Sequence, residues 1–157
     1  PGLRYAPACT AGLKPASNSR IDVGLLNRGR PILHRKFHRF VDSGNNLLGV
    51  MGVRKKCDVF LIRHAYVRTL ARRQGIGGQL LQHLSQKFEK PFLIGTWKAA
   101  SWAISFYAKH GFKDVGPKET ARLLKVYWSV PTRQIESSIV LADDRWKNDE
   151  YLRAALV

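Results

Sequence analysis

The sequence predicts an α/β domain in which a mixed central sheet is flanked by helices, and three consecutive segments indicate this. Residues 59–67 are dense in β-forming side chains and are typical of one long strand. Apolar residues then recur at helical spacing from Ile76 to about Phe88, and residues 92–96 form a short apolar run typical of a buried strand. A strand, a helix and a strand in this order predict a right-handed crossover between parallel strands.

The residues before this unit predict a β-hairpin. Two strand-like runs, at 37–41 and 47–53, are separated by the turn residues Ser43 to Asn46. Residues 54–58 form a second polar break before the long strand. The hairpin and the long strand are therefore expected to be neighbours in one sheet.

The residues after the crossover predict two more helices and two more strands. A helical stripe ends at Gly111, a suitable left-handed C-cap, and contains Ala99, Trp102, Ala103, Phe106 and Tyr107. A strand is expected at 112–115, then a helix that begins at Pro117 and ends before Pro131. A last strand is expected at 135–142.

A single folded domain accounts for the 157 residues. Residues 1–36 are rich in Gly, Pro, Ser and Arg without sustained periodicity, which predicts an irregular basic arm. The domain itself is expected at 37–146, followed by a tail at 147–157 with a weak helical pattern around 150–156. Cys9 and Cys57 are too few for a disulfide framework, so both are expected to be free thiols.

The chain is strongly basic, with a formal net charge of +16. Such a charge attracts anions such as nucleotides, phosphates or nucleic acid, and it repels polycationic substrates such as polyamines. No apolar run approaches the roughly 18–20 residues of a membrane span, and no signal peptide is recognisable. These features predict a cytoplasmic protein with no membrane partner.

Two arginines and three glycines lie between the long strand and its helix, at Arg72, Arg73, Gly75, Gly77 and Gly78. Glycines let an anion approach the backbone, and the first amides of a helix have no partner within it. The segment thus predicts a phosphate site, although it could instead only turn the chain from strand to helix. It lacks the Gly-Lys-Ser/Thr of a P-loop, and Leu80 occupies the place of the third glycine of a dinucleotide fingerprint.

Two motifs in order resemble those of the GNAT superfamily of acyl-CoA acyltransferases. Arg72-x-x-Gly75-x-Gly77 follows a strand ending at Val67 and precedes Leu80-Leu81, as in the family's central motif. Residues 103–112, which contain Tyr107 and end in Gly-Phe, are similar to its later motif. The resemblance covers about residues 37–146 and implies a sheet splayed between its fourth and fifth strands, with coenzyme A in the opening.

The resemblance also implies roles for individual residues. Backbone groups of Ala65, Tyr66 and Val67 would bind the pantetheine arm, and the turn after them would bind the pyrophosphate. Ser101 is the remaining cofactor candidate, because Ala100 stands where the family often has Asn. The residues expected at the pyrophosphate, with side-chain charge from both arginines, are Arg72, Arg73, Gln74, Gly75, Ile76, Gly77 and Gly78.

Tyr107 matches the tyrosine that in many family members protonates the departing thiolate, although packing on a helix is an equal explanation for this side chain. An amine acceptor must also lose a proton before it attacks, so a base is expected. His64 is the best candidate, or else a structural histidine, since Leu61 occupies the place of the family's strand glutamate. Glu136 is a weaker candidate that could simply pair with Arg133.

The predicted function is therefore transfer of an acetyl group from acetyl-CoA, the acyl donor, to an amine of a small molecule or a protein, without a metal. Trp97, Trp102, Tyr127 and Trp128 could wall the acceptor pocket or belong to the core. Residues 1–36 lack the strand and two helices with which family members usually begin. Two alternatives stay open: a basic module that binds RNA or ribosomes, and a degenerate GNAT domain that binds coenzyme A without turnover. A homodimer is also compatible with the sequence.

Overall fold

The computed structural model describes residues 19–24 and 35–148. Within them, seven strands form one sheet in the order β1-β2-β3-β4-β5-β7-β6, and every neighbouring pair except β4–β5 is antiparallel. Among these residues no helix is long and apolar enough to span a membrane. The strands are β1 (Arg20–Gly24), β2 (Arg35–Val41), β3 (Leu47–Lys56), β4 (Val59–Val67), β5 (Phe92–Trp97), β6 (Lys113–Asp114) and β7 (Ser138–Ala142). The helices are α1 (Ile76–Lys87), α2 (Ser101–Lys109), α3 (Pro117–Leu123), α4 (Thr132–Glu136) and α5 (Asp144–Asn148).

The predicted hairpin is confirmed as β2 and β3. Its turn is closed by Asp42, whose carboxylate accepts the Asn46 N–H at 2.8 Å. Strand β3 is longer than predicted, because residues 54–56 continue the ladder with β4. The polar break is therefore only the tight turn at Cys57 and Asp58, where Cys57 has φ 50° and an exposed, free thiol.

The crossover from β4 through α1 to the parallel strand β5 is also confirmed. Side chains alternate between the two faces of the sheet, so each face has its own core. Ile62 and Ile94 lie in the first core, which packs against α1 and α2. Leu61 and Leu93 lie in the second core, which packs against the chain between α3 and β7. At β4 and β5, the two faces of the sheet are therefore covered by different segments of the chain.

Part of the segment predicted to be irregular is a strand. β1 pairs along its whole length with β2, from Arg20↔Val41 to Gly24↔Phe37. Ile21 packs against the core of the α1 face. The alternation of apolar and polar side chains over five residues is too short to predict a strand from the sequence. The hydrogen-bond partner of β1 is β2, which is distant in the sequence. The other residues of the predicted arm up to 18 and from 25 to 34, which include Cys9, lie outside the described residues.

The prediction of one strand over 135–142 is wrong in its first part. Thr132–Glu136 forms the short helix α4, which follows Pro131, and β7 begins only at Ser138. The Ser138 hydroxyl donates to the Gln134 carbonyl at 2.7 Å and so stabilises the end of this helix. Ile135 is buried in the second core, which a strand would have allowed equally well.

The third helix begins at Pro117 as predicted, and after Leu123 it widens into a π-helical turn over Leu124–Trp128. Helix α5 was not predicted. The weak helix expected at 150–156 and the remainder of the tail lie outside the described residues.

A pair of histidines links β2 to α1. His38 is fully buried, and its Nδ1 lies 3.1 Å from Nε2 of His83, so only one proton fits between these two nitrogens. Burial, and then the nearby charges of His83, Lys87 and Lys36, lower the pKa of His38 from 6.5 to about 4. The folded protein therefore holds this ring neutral at pH values where an unfolded histidine is protonated.

The free energy of unfolding is accordingly expected to fall as the pH drops from about 6.5 towards 4, because the unfolded chain binds a proton there that the folded chain does not. A pKa difference of this size corresponds to roughly 3 kcal/mol at most. Urea unfolding at pH 7.5 and pH 4.5 measures the loss. His38→Phe, which cannot titrate, should show a loss smaller by that amount, and an equal loss in both proteins would contradict the prediction.

Candidate active site

The sheet opens between β4 and β5. These strands are paired only from Phe60↔Phe92 to Ile62↔Ile94, although β4 continues to Val67 and β5 to Trp97. On its other edge, β5 is paired with β7 from Leu93↔Ala142 to Trp97↔Ser138, so the edge of β5 that becomes open beyond Ile94 is the one facing β4. The predicted splay between the fourth and fifth strands is therefore present.

A β-bulge lies in β4 beside this opening. Tyr66 is opposite Val50 and Arg63 is opposite Gly52, so β4 has one extra residue between these two pairs. His64 lies in the bulge, with φ 58°, and its ring is exposed. A bulge reverses the alternation of side chains and bends the strand. Ala65 packs on the α1 face like Ile62, and the alternation places Arg63 and Tyr66 on the opposite face.

A cavity of about 250 Å³ passes through the opening. On the α1 face its walls are residues of α1 and α2, including Gly77, Phe106 and Tyr107. On the other face its walls come from the chain between Leu124 and Ser138. Residues of β3, β4 and β5 form its sides. The two faces of the sheet are thus connected through the gap, and two molecules entering from opposite faces could meet there.

The turn before α1 fits an anion. Gly75 is the N-cap residue of α1 with φ 75°, and α1, which lies wholly within the described residues, has no side-chain cap and no acidic residue in its first turn. The amides of that turn have no partner inside the helix, and the helix dipole adds positive potential there. Among the described residues, none hydrogen-bonds the buried Nε and Nη2 atoms of Arg72. Unsatisfied buried guanidinium N–H groups and unpaired helix amides are both groups that suit a phosphate-bearing ligand.

At two of the glycines, Gly77 and Gly78, close packing against α2 and the residue that follows it also disfavours a side chain. A Cβ on Gly77 would lie 3.2 Å from the Phe106 ring, and one on Gly78 would lie 2.9 Å from the His110 ring. Helix α2 therefore packs directly against the first turn of α1. Burial lowers the pKa of His110, which favours the neutral ring at this contact.

The family model for the acetyltransferase (GNAT) domain matches residues 35–114. The chain belongs to the GNAT acetyltransferase family. No protein of curated function matches the sequence. The fold of the chain is similar to that of solved GNAT structures. One of them is a GNAT family acetyltransferase from Elizabethkingia anophelis with acetyl-CoA bound. That protein has a TM-score of 0.58 and 19% identity over 82% of this chain and 99% of its own.

Two further structures are similar to this GNAT chain. An acetyltransferase from Bacillus subtilis in complex with CoA has a TM-score of 0.57 and 18% identity, over 81% of this chain and 99% of its own. The ribosomal-protein-S18-alanine N-acetyltransferase from Escherichia coli has a TM-score of 0.52 and 16% identity, over 71% of this chain and 66% of its own. At these identities the likeness concerns the fold.

The structure brings only some of the predicted GNAT site residues into the cavity. Those that line it are His64, Ala65, Tyr66, Val67, Gly77 and Tyr107. The other candidates are not among the lining residues: Ser101 is exposed at the start of α2, and the rest form the turn before α1 and its first residues. The predicted residues of this turn and of the start of α1 that do not line the cavity are Arg72, Arg73, Gln74, Gly75, Ile76 and Gly78.

Trp97, Trp102 and Trp128 line the cavity of this GNAT domain, whereas Tyr127 does not. Tyr127 is buried in the second core and donates its hydroxyl to Asp58 at 2.9 Å. Burial and this carboxylate raise the pKa of its phenol. The core explanation is therefore correct for Tyr127, and Trp102 and Trp128 both line the cavity and pack against the two cores.

Glu136, the weaker base candidate, is exposed at the end of α4 and is not a lining residue of the GNAT cavity. Four polar lining residues were missed from the sequence: Arg63, Thr96, Gln134 and Ser138. Arg63 could have been found from the alternation of side chains along β4, which places it on the face opposite Ile62. Gln134 reaches the cavity from the short helix α4, which was not predicted, and Ser138 is the first residue of β7.

Proposed function

We propose that the protein is a cytoplasmic acetyltransferase that moves an acetyl group from acetyl-CoA to an amine by direct attack in a ternary complex. The observation that carries the proposal is the cavity through the opening between β4 and β5, because it joins the two faces of the sheet. A donor on the α1 face and an acceptor on the other can react there without a covalent enzyme intermediate.

The donor is proposed to lie along β4 and the turn before α1. Beyond Ile62 the ladder with β5 has ended, so the β5-facing edge of residues 65–67 borders the cavity, where the amide groups of a pantetheine arm can add as a strand would. The pyrophosphate then belongs at the first amides of α1, with Arg72 as its guanidinium partner. Arg73, which is exposed, adds charge at the entrance.

Tyr107 is proposed as the general acid. Its side chain is only 6% exposed and borders the cavity from α2. In the reaction, the amine nitrogen bonds to the thioester carbonyl carbon and the carbon–sulfur bond breaks. The departing thiolate takes the phenol proton, and the proton that the attacking amine loses passes through His64 or water and restores the phenol of Tyr107. The products are the amide and the free thiol of coenzyme A.

Thermal unfolding with acetyl-CoA, coenzyme A and a short RNA tests this function, together with thiol release in the presence of a panel of amines. At 100 times its dissociation constant, acetyl-CoA should add about 2.7 kcal/mol to the free energy of unfolding. At least one amine should accelerate thiol release well above hydrolysis. Mass spectrometry of that amine should show one added acetyl group.

Other outcomes would replace the proposal. Stabilisation by RNA alone would indicate a nucleic-acid-binding module. Stabilisation by coenzyme A without thiol release for any amine would indicate a domain that keeps the ligand without turnover.

A further inference from the structure

The acceptor half of the cavity has an unusual combination of walls. Its residues lie on the face of the sheet opposite α1 and α2, and they include one cationic side chain, several aromatic side chains and two polar ones. They are Arg63, Tyr66, Gly95, Trp97, Leu124, Trp128, Val130, Gln134 and Ser138. This composition bears on the substrate class of the proposed acetyl transfer.

Two tryptophans, Trp97 and Trp128, form part of the wall of this half. A Cβ on Gly95 would lie 3.2 Å from the Trp128 indole, so glycine at this position lets the ring rest against the backbone of β5. Trp97, at the end of the same strand, is 52% exposed and lies at the rim. Lys98 fixes this strand end, because its N–H donates to the Ser137 carbonyl and its ammonium to the Glu136 carbonyl. A rigid aromatic wall of this kind suits an aromatic or branched apolar body.

The charge in the cavity is of one sign. Arg63 is partly buried, and His64 is the other lining residue that can carry positive charge. Among the described residues that line the cavity, none is Asp or Glu, since Glu136 lies outside it. A second ammonium close to Arg63 would be repelled, whereas a carboxylate would be attracted. Arg also matches a carboxylate with two parallel hydrogen bonds.

The cavity is small, with about 250 Å³ to share between the reacting end of the donor and the acceptor. Pockets for drug-sized ligands range over roughly 300–1,000 Å³. A volume below this range fits an acceptor of about the size of a free amino acid.

We propose that the acceptor is an amino acid-sized amine that carries a carboxylate and an aromatic or branched apolar side chain, with Arg63 as the partner of the carboxylate. The inference rests on the proposed acetyl transfer and names its substrate class. Acetylation then forms the amide at the free amine, releases the thiol of coenzyme A and one proton from the ammonium form, and leaves the carboxylate unchanged.

Two pairs of probes that differ only in a carboxylate test the inference. N-acetylphenylalanine and N-acetylphenethylamine report on acceptor-site binding by calorimetry, with and without coenzyme A. Phenylalanine and phenethylamine report on thiol release. The wild-type protein should favour each acid over its partner by about tenfold or more. In Arg63→Gln the preference should fall below threefold, and Arg63→Lys, which keeps the charge, should retain most of it.

Lys118→Gln is the matched control, because Lys118 is exposed on α3 and does not line the cavity. It removes one positive charge from the chain and should keep the full preference. Coenzyme A affinity in Arg63→Gln should stay within twofold of the wild-type value. A tenfold loss of that affinity would instead assign Arg63 to the donor and overturn the inference.

Equal binding of acid and amine by the wild-type protein, or a preference that survives in Arg63→Gln, would also overturn it. These results separate the inference from the proposed function. If phenethylamine were acetylated better than phenylalanine, the proposed acetyl transfer would be supported and the inference of a carboxylate-bearing acceptor would be wrong. If coenzyme A did not bind, the proposed function would fall, and the inference that rests on it would fall with it.

Discussion

Gly75→Glu is expected to weaken acetyl-CoA binding by about a hundredfold or more, measured by calorimetry. Gly75 is the N-cap residue of α1, and within the described part of the chain a Cβ there would meet only the Gln79 amide, at 3.8 Å, so the side chain has room. The carboxylate would bring negative charge to amides that we assign to the pyrophosphate. A hundredfold loss corresponds to about 2.7 kcal/mol, comparable to one or two charge-assisted hydrogen bonds.

The fold itself should survive this substitution. A side chain at φ 75° costs roughly 1–2 kcal/mol, and the helix dipole returns part of this for an acidic residue at the N-terminus. Gly77 is less informative, because a side chain there would also push against Phe106. Gly111→Glu is the control: Gly111 has φ 86°, and in the described part of the chain no atom lies within 4 Å of its ideal Cβ.

Gly111→Glu should lose similar stability and bind acetyl-CoA within about twofold of the wild-type affinity. If both variants bound acetyl-CoA normally, the turn before α1 would not be the pyrophosphate site. If both lost binding equally, strain rather than charge would explain the result.

Tyr107→Phe is expected to lower kcat by about a hundredfold while the dissociation constant of acetyl-CoA stays within about twofold. The substitution removes one hydroxyl from a buried ring that borders the cavity, so the donor site keeps its shape. General acid catalysis typically contributes 10²–10⁴ in rate, and this range sets the expected effect. Thiol release under saturating substrates measures kcat, and calorimetry measures the affinity.

Tyr127→Phe separates catalysis from folding. Tyr127 is another buried tyrosine, and it does not line the cavity. The substitution removes its hydroxyl, which donates a hydrogen bond to Asp58. The free energy of unfolding should fall by about 1–2 kcal/mol, while kcat should stay near the wild-type value. A Tyr107→Phe protein that turns over within threefold of the wild-type rate would remove the tyrosine from the mechanism and leave it as a packing residue.

The sequence by itself determined the crossover of β4, α1 and β5 and the family. Both depend on local features: a run of β-formers, a helical stripe, and glycine at a position with positive φ. Gly75 illustrates this, because the turn requires a left-handed residue there whatever the rest of the chain does. The hairpin at Asp42 was predictable for the same reason, since turn residues act on their immediate neighbours.

Only the tertiary structure decided which side chains share the cavity. The bulge at His64 sets the directions of Ala65 and Tyr66, and it arises from the register between β3 and β4, which no single strand encodes. Packing of Phe106 on Gly77 is a contact between two helices, so the sequence could assign that glycine only to a phosphate. β1 likewise exists through its pairing with β2. Local patterns therefore identified the elements, whereas contacts between distant segments determined the walls of the candidate active site.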